Sequence, residues 1–140
     1  EELVIAETTT SAETVELNAL LDGSEIMAMQ DVVRKVLIGR SVSSFAVRLV
    51  RSTRPDSSEA HSDVKKYMTW GAGPRACQAL LLGAKANALL DGRVNASIQD
   101  IRDIAKTVLR HRLVTSFAAE SDGVTTDDVI DVLCKDTSEE

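Results

Sequence analysis

Aromatic side chains are scarce. One Trp, one Tyr and two Phe make up 3% of the 140 residues. A core must then be built from Leu, Val, Ile and Ala, which favours packed helices over an aromatic-rich β-sandwich. Positive charge is also in deficit, with 16 Lys and Arg against 22 Asp and Glu and a formal net charge of −6. That argues against nonspecific binding to nucleic acid or to an anionic membrane, although a local basic patch remains compatible with it. No apolar run approaches the ~20 residues needed to cross a bilayer. No basic segment followed by an apolar one opens the chain, as a secretory signal would. The two cysteines, Cys77 and Cys134, lie far apart and form no disulfide framework. A reduced, cytoplasmic setting fits, and Asn95-Ala96-Ser97 is then a chance match to a glycosylation pattern.

Catalytic and metal patterns are missing too. Two His and two Cys cannot be assembled into a Ser-His-Asp, Cys-His or metal cluster, so no metal ligand is expected. No Gly-x-x-x-x-Gly-Lys-Ser/Thr loop is present, and Gly83-Ala84-Lys85-Ala86 does not fit one. No apolar strand ends in Asp-Glu. This chain alone is therefore expected to hydrolyse nothing.

What is present is helical periodicity in a chain long enough for one domain with a real core. It starts at Glu1 rather than Met, as either a segment of a longer protein or a trimmed chain would. Leu3-Val4-Ile5 reads as the tail of a helix, and Thr8-Thr9-Thr10-Ser11, poor helix formers, as a linker. Val15 to Leu21 is ambiguous. Ser24 is expected to cap a helix carrying Ile26, Met29, Val33, Val36 and Leu37, which Gly39 stops. A second helix from Ser41 buries Val42, Phe45, Ala46, Leu49 and Val50. Its other side carries Arg48, Arg51 and Arg54, as either a solvated face or a dock for an acidic partner. A loop from Arg54 to Glu59 leads past His61 to a short helix over Asp63–Thr69, with Val64, Tyr67 and Met68 inward. Trp70 reads as a core or rim anchor.

The next stretch organises the rest: Trp70-Gly71-Ala72-Gly73-Pro74-Arg75-Ala76. Small residues permit close backbone approach. Pro74 suits a first helical turn, and Arg75 follows at the positive end of the helix dipole, a place that prefers anions. A guanidinium there is shaped for phosphate, though a solvated or salt-bridged Arg at a Gly-Pro helix start fits the same spacing. The helix Pro74–Leu90 should bury Cys77, Leu80, Leu81, Ala84 and Ala88, and Asp91-Gly92 ends it. Ser97 and Asp100 form a capping box for a helix using Ile98, Ile101, Ala105, Val108, Leu109 and Leu113. That helix runs into Arg110-His111-Arg112, which either complements the dipole or touches a nucleotide edge or an adjacent subunit. Thr125 and Asp128 make another capping box, and Val129, Ile130, Val132 and Leu133 pack the last helix. Asp127 and Asp128 suit its first turn rather than catalysis. Lys135 to Glu140 should fray. The sum is all-α: a small bundle of about six helices, two of them short, without a convincing strand.

Several blocks in order carry a family likeness: Trp70 to Ala76, Leu82-Gly83-Ala84-Lys85-Ala86, Asp91-Gly92-Arg93, Val94 to Ile101, Val108 to Leu113, and Glu120-Ser121-Asp122-Gly123. Together they make Tyr67 to Gly123 resemble the C-terminal helical lid of MoxR-type AAA+ ATPases, with Ala46 to Pro55 sharing the look and the likeness reaching from Thr8 to Leu133. The resemblance implies that residues 1–23 are the linker or tail of a preceding AAA+ large domain, 24–135 the lid, and 136–140 a disordered tail. It implies that Arg75 is the sensor 2 arginine, catalytic in concert with the large domain, and that Gly71, Gly73 and Pro74 join it in nucleotide binding. ATP and Mg2+ would serve the parent protein, with no cofactor for this segment alone. Partners would be the large domain and neighbouring subunits of a hexameric ring, with a chaperone-like role in maturing client proteins and no nucleic acid or membrane insertion. Where the family often has Ser, this chain has Gly73, so a hydroxyl cap is absent. Two other readings stand beside the lid: a free-standing helical adaptor binding through the Arg48 row, and a helix-turn-helix DNA reader, which the acidic balance disfavours.

Overall fold

The computed structural model describes residues 1–11 and 18–139. Its centre is a pair of helices whose small residues let them approach closely. α5 (Pro74–Leu90) buries Ala76, Leu80, Ala84 and Ala88, a stripe at four-residue spacing. α6 (Ile98–Leu109) packs along it and buries Ile101, Ala105 and Leu109. Between them Gly83 leaves room for Ile104, whose Cδ1 would stand 2.5 Å from a Cβ placed there. α3 (Arg40–Ser52) closes one side with Val42, Phe45, Ala46, Leu49 and Val50, as its periodicity predicts. α8 (Thr126–Asp136) adds Val129, Ile130 and Leu133. Cys77 and Leu81, expected to be buried, are partly so and pack at the core's edge. The bundle is all-α in architecture, completed by α2 (Gly23–Lys35), α4 (Ser62–Tyr67) and α7 (Phe117–Asp122), and it is preceded by α1 (Glu2–Thr10), which buries none of its residues.

Two of the helix starts are the expected capping boxes, Ser97 with Asp100 and Thr125 with Asp128. The start of α2 differs. Asp22, not Ser24, is its cap: Asp22 Oδ1 accepts from Glu25 N at 2.9 Å, and Glu25 Oε2 accepts from Asp22 N at 2.8 Å. Ser24 instead donates to Asp22 Oδ1 at 2.6 Å. Nor does Gly39 stop this helix. Val36 turns extended after Lys35, and Gly39 becomes the N-cap of α3. The threonines expected to form a linker lie in α1, because the hydroxyls of Thr8, Thr9 and Thr10 donate to the carbonyls of Val4, Ile5 and Ala6, each at 2.7 Å, and so find partners inside a helix. Of the ambiguous stretch, Val15, Glu16 and Leu17 lie outside the described residues.

Strands do occur, contrary to expectation. β1 (Leu37–Ile38) pairs in parallel with β3 (Asn95–Ala96), and β2 (Met68–Trp70) pairs antiparallel with β4 (Val114–Thr115). Runs of two or three residues are too short for the alternation that marks a strand in sequence. The short helix expected over Asp63–Thr69 accordingly ends at Tyr67, with Met68 and Thr69 in β2. Trp70 is neither core nor rim but 69% exposed. α6 likewise gives way to a 3-10 turn over Arg110–Arg112, because Leu113 is extended and leads into β4. No described helix is long and apolar enough to cross a membrane.

Gly71 and Ala72 dock on the end of α3. The buried Thr53 hydroxyl accepts from Ala72 N at 2.9 Å and donates to Val50 O at 2.6 Å, while Arg54 Nε donates to Ala72 O at 2.9 Å. A Cβ on Gly71 would meet Thr53 O at 2.3 Å and Arg54 Cα at 2.6 Å. Both are backbone atoms, which cannot swing aside. Gly71→Ala should therefore lower stability by about 1–3 kcal/mol, the usual range for overpacking, read as a lower urea midpoint at unchanged slope. An unaltered midpoint would contradict this packing.

Candidate functional site

The segment leaving Gly71 rises into α5. Gly73 is its N-cap, extended at φ −90° and ψ −179°, without a side-chain cap. Pro74 fills the first position, where a missing N–H costs little. Arg75 is exposed and makes no hydrogen bond or ion pair among the described residues. Arg112 faces the same space from the same end of the β2–β4 pair, on the other strand's side. Its Nη1 donates to Val108 O. The next residue, Leu113, is buried, and Val114 beyond it pairs with Trp70. Gly73, Pro74, Arg75, Ala76 and Arg112 thus line one open basin of about 610 Å³.

The lining carries two guanidinium groups and no carboxylate. It sits at the N-terminal end of a 17-residue helix, where the dipole adds positive potential. The arrangement suits a multiply charged anion such as a phosphate chain. It does not suit Mg2+, which takes oxygen ligands.

Of the residues singled out from sequence, Gly73, Pro74 and Arg75 share this basin. Gly71 lies outside its lining, and the contact with Thr53 and Arg54 accounts for its being glycine. Arg110 turns away and pairs with Asp127 at 2.6 Å, so the basic tripeptide divides between a surface ion pair and the basin. Asp127 therefore serves the helix start and an ion pair. The Arg48 row is engaged by its own chain. Arg48 donates to Ser138 O at 2.8 Å, Arg51 pairs with Glu59 at 3.1 Å, and Arg54 holds Ala72. The polar end of the chain is in contact as well: His61 Nε2 lies 3.2 Å from Asp136, and Arg102 pairs with Glu139 at 2.7 Å. Cys77 and Cys134 are free thiols, and burial pushes the Cys134 thiol up to about 11, away from thiolate reactivity.

A Cβ at Gly73 meets nothing within 4 Å, and its backbone is open to any residue. Gly73→Ser should raise stability by a few tenths of a kcal/mol through the missing cap, seen as a small upward shift in the urea midpoint. A downward shift would show that the N-cap geometry differs.

Comparison with known proteins covers the basin. The family model described as the AAA lid domain matches residues 60–133. Chaperone MoxR1 of Mycobacterium tuberculosis is 30% identical over 111 residues, which are 79% of this chain and 29% of that protein. The chain therefore spans under a third of this relative's length. A crystal structure of a protein assigned as an ATPase from Cytophaga hutchinsonii superposes with a TM-score of 0.81 at 23% identity, over 98% of this chain and 42% of the other. That is a likeness of fold.

Proposed function

The chain belongs to the AAA lid domain family, as a lid of the MoxR type, and from that premise we propose that Arg75 is its sensor 2 arginine, coupling the nucleotide state of the whole ATPase to the position of the lid. The observation that carries this reading is the state of Arg75 itself: exposed, without a partner among the described residues, in the first turn of α5 and facing a basin free of carboxylates. Phosphoryl transfer needs positioning and charge neutralisation more than covalent chemistry from the protein. At ~4 Å and an effective dielectric near 20, one charge pair is worth about 4 kcal/mol before desolvation. That is enough to bias the angle between a lid and a nucleotide-binding domain. Mg2+ and the phosphate-cradling loop would be supplied by the large domain, since the basin offers no carboxylate.

In this reading the lid is a lever. Its second arm is the groove between α2 and α5, about 550 Å³, where Met29, Val32, Leu89 and Leu90 remain exposed. Apolar surface of this kind supports cover by another part of the ATPase, its large domain or a neighbouring subunit in a hexameric ring. A chaperone-like action on client proteins, in the cytoplasm, extends the same proposal. Arg48, Arg51 and Arg54, the row on which the adaptor reading relies, each bond within the chain. The test is ATP turnover by the full-length protein with Arg75 replaced, and unaltered turnover overturns the assignment.

A further inference from the structure

We infer that Arg112 is a second phosphate-binding arginine of this site, a fixed grip on the phosphate chain of a nucleoside triphosphate beside the movable Arg75. The inference rests on the reading of Arg75 above. Four of the ten arginines are neutralised by a carboxylate: Arg51 by Glu59, Arg93 by Asp91 and Asp100, Arg102 by Glu139, Arg110 by Asp127. Arg112 has no carboxylate partner among the described residues. It faces the same basin as Arg75, in a chain whose net charge is −6. Two uncompensated guanidinium groups on one depression repel each other until an anion lies between them.

The two differ in how they are held. Arg75 is exposed and untethered, and must surrender side-chain freedom to engage a ligand. Arg112 is half-buried, with one arm tied to Val108 O and with Leu113 and β4 anchoring the backbone behind it. A guanidinium has five donors, so the bond to Val108 leaves others for phosphate. A pre-oriented group contributes mainly to affinity, because little ordering remains to be done on binding. Arg112 therefore sets how tightly the phosphates are held, and Arg75 reports which phosphates are there.

The experiment measures dissociation constants for ATP, ADP and AMP, together with turnover, in the full-length protein and its Arg75→Ala, Arg112→Gln and Arg112→Lys variants. Gln retains an amide donor and loses the charge. Lys keeps the charge but loses the paired donors. Arg112→Gln should weaken ATP and ADP about tenfold or more, as expected for losing charge-assisted hydrogen bonds, with a much smaller effect on AMP. Arg112→Lys should weaken ATP by a smaller factor, and it carries the test if the Gln variant fails to fold. Unaltered ATP affinity in both Arg112 variants overturns the inference, as does loss of turnover at unchanged affinity or equal weakening of AMP. If Arg75→Ala lowers turnover while the Arg112 variants bind ATP normally, only the role of Arg112 fails. Normal turnover in Arg75→Ala removes the premise for both.

Discussion

Arg75→Ala should cut ATP turnover by the full-length protein by about 10²- to 10³-fold, the loss typical of removing one preorganised donor from a developing negative charge. The fold should not register the change. Arg75 is exposed and holds nothing among the described residues, so stability should stay within about 0.5 kcal/mol of the parent, as for surface changes elsewhere. That separation makes the variant informative, because a fall in turnover cannot be ascribed to unfolding when the denaturation midpoint is unmoved. Arg75→Lys should recover part of the rate, since the charge survives while the forked geometry does not. Equal turnover in all three proteins would leave the lid without its proposed sensor.

The largest loss of stability is expected at Asp100. Its carboxylate is almost fully buried and is surrounded by donors. Arg93 reaches it through both arms, at 2.5 and 2.9 Å, and Asn87 Nδ2 donates at 2.9 Å. Ser97 donates from its backbone and its hydroxyl, each at 2.7 Å. One side chain thus caps α6 and ties the end of α5 to it through Asn87. Asp100→Ala should cost about 3 kcal/mol, combining a lost cap with lost charge-assisted bonds. The figure stays below that of a fully buried pair because Arg93 still reaches water. Arg93 is the main reason the Asp100 carboxyl is held well below the usual carboxylate range. Ser97 and Asn87 add to the effect, and burial opposes it. A depressed folded-state value means the stabilisation is complete above about pH 4, the unfolded value, and fades as the pH falls toward the folded one. Asp100→Asn should flatten that acid-side slope in urea titrations, and a slope matching the parent's would show that Asp100 does not carry it.

The parts of this fold set by neighbours along the chain are legible in the sequence. Pro74 followed by an Ala- and Leu-rich stretch marks α5, and Ser97 with Asp100 marks the start of α6, because propensity and capping act within a few residues. The places where sequence and fold part also have local physics behind them. Asp22 and Ser24 are both good caps, and what decides between them is Glu25 closing a box on Asp22. Gly39 can end one helix or begin the next. The threonines of α1 have the composition of a linker, yet their hydroxyls bond to the preceding turn and let the helix continue. Tertiary choices leave no local mark at all. Gly71 and Gly73 are equivalent in the motif, yet one is pressed on Thr53 and the other opens to the basin. The three basic residues after Leu109 form one cluster in sequence, and only the fold divides them, Arg110 to Asp127 and Arg112 to the basin.

The β2–β4 pair, only a few residues long, has a consequence for assembly order. Arg75 comes just after β2 and Arg112 just before β4, so no basin exists until those strands meet. Packing α5 on α6 requires closing only the short connection between them, whereas Trp70 and Val114 must meet across both helices. Such non-local closures cost more chain entropy and tend to form after local contacts. A chain that has collapsed into helices but left the strand pair open would look folded by helix content and still have its two arginines apart. On the proposed reading of Arg75 and Arg112, competence for an anion would then come late in folding, and an immature lid would be electrostatically silent toward the ligand that a finished one would detect.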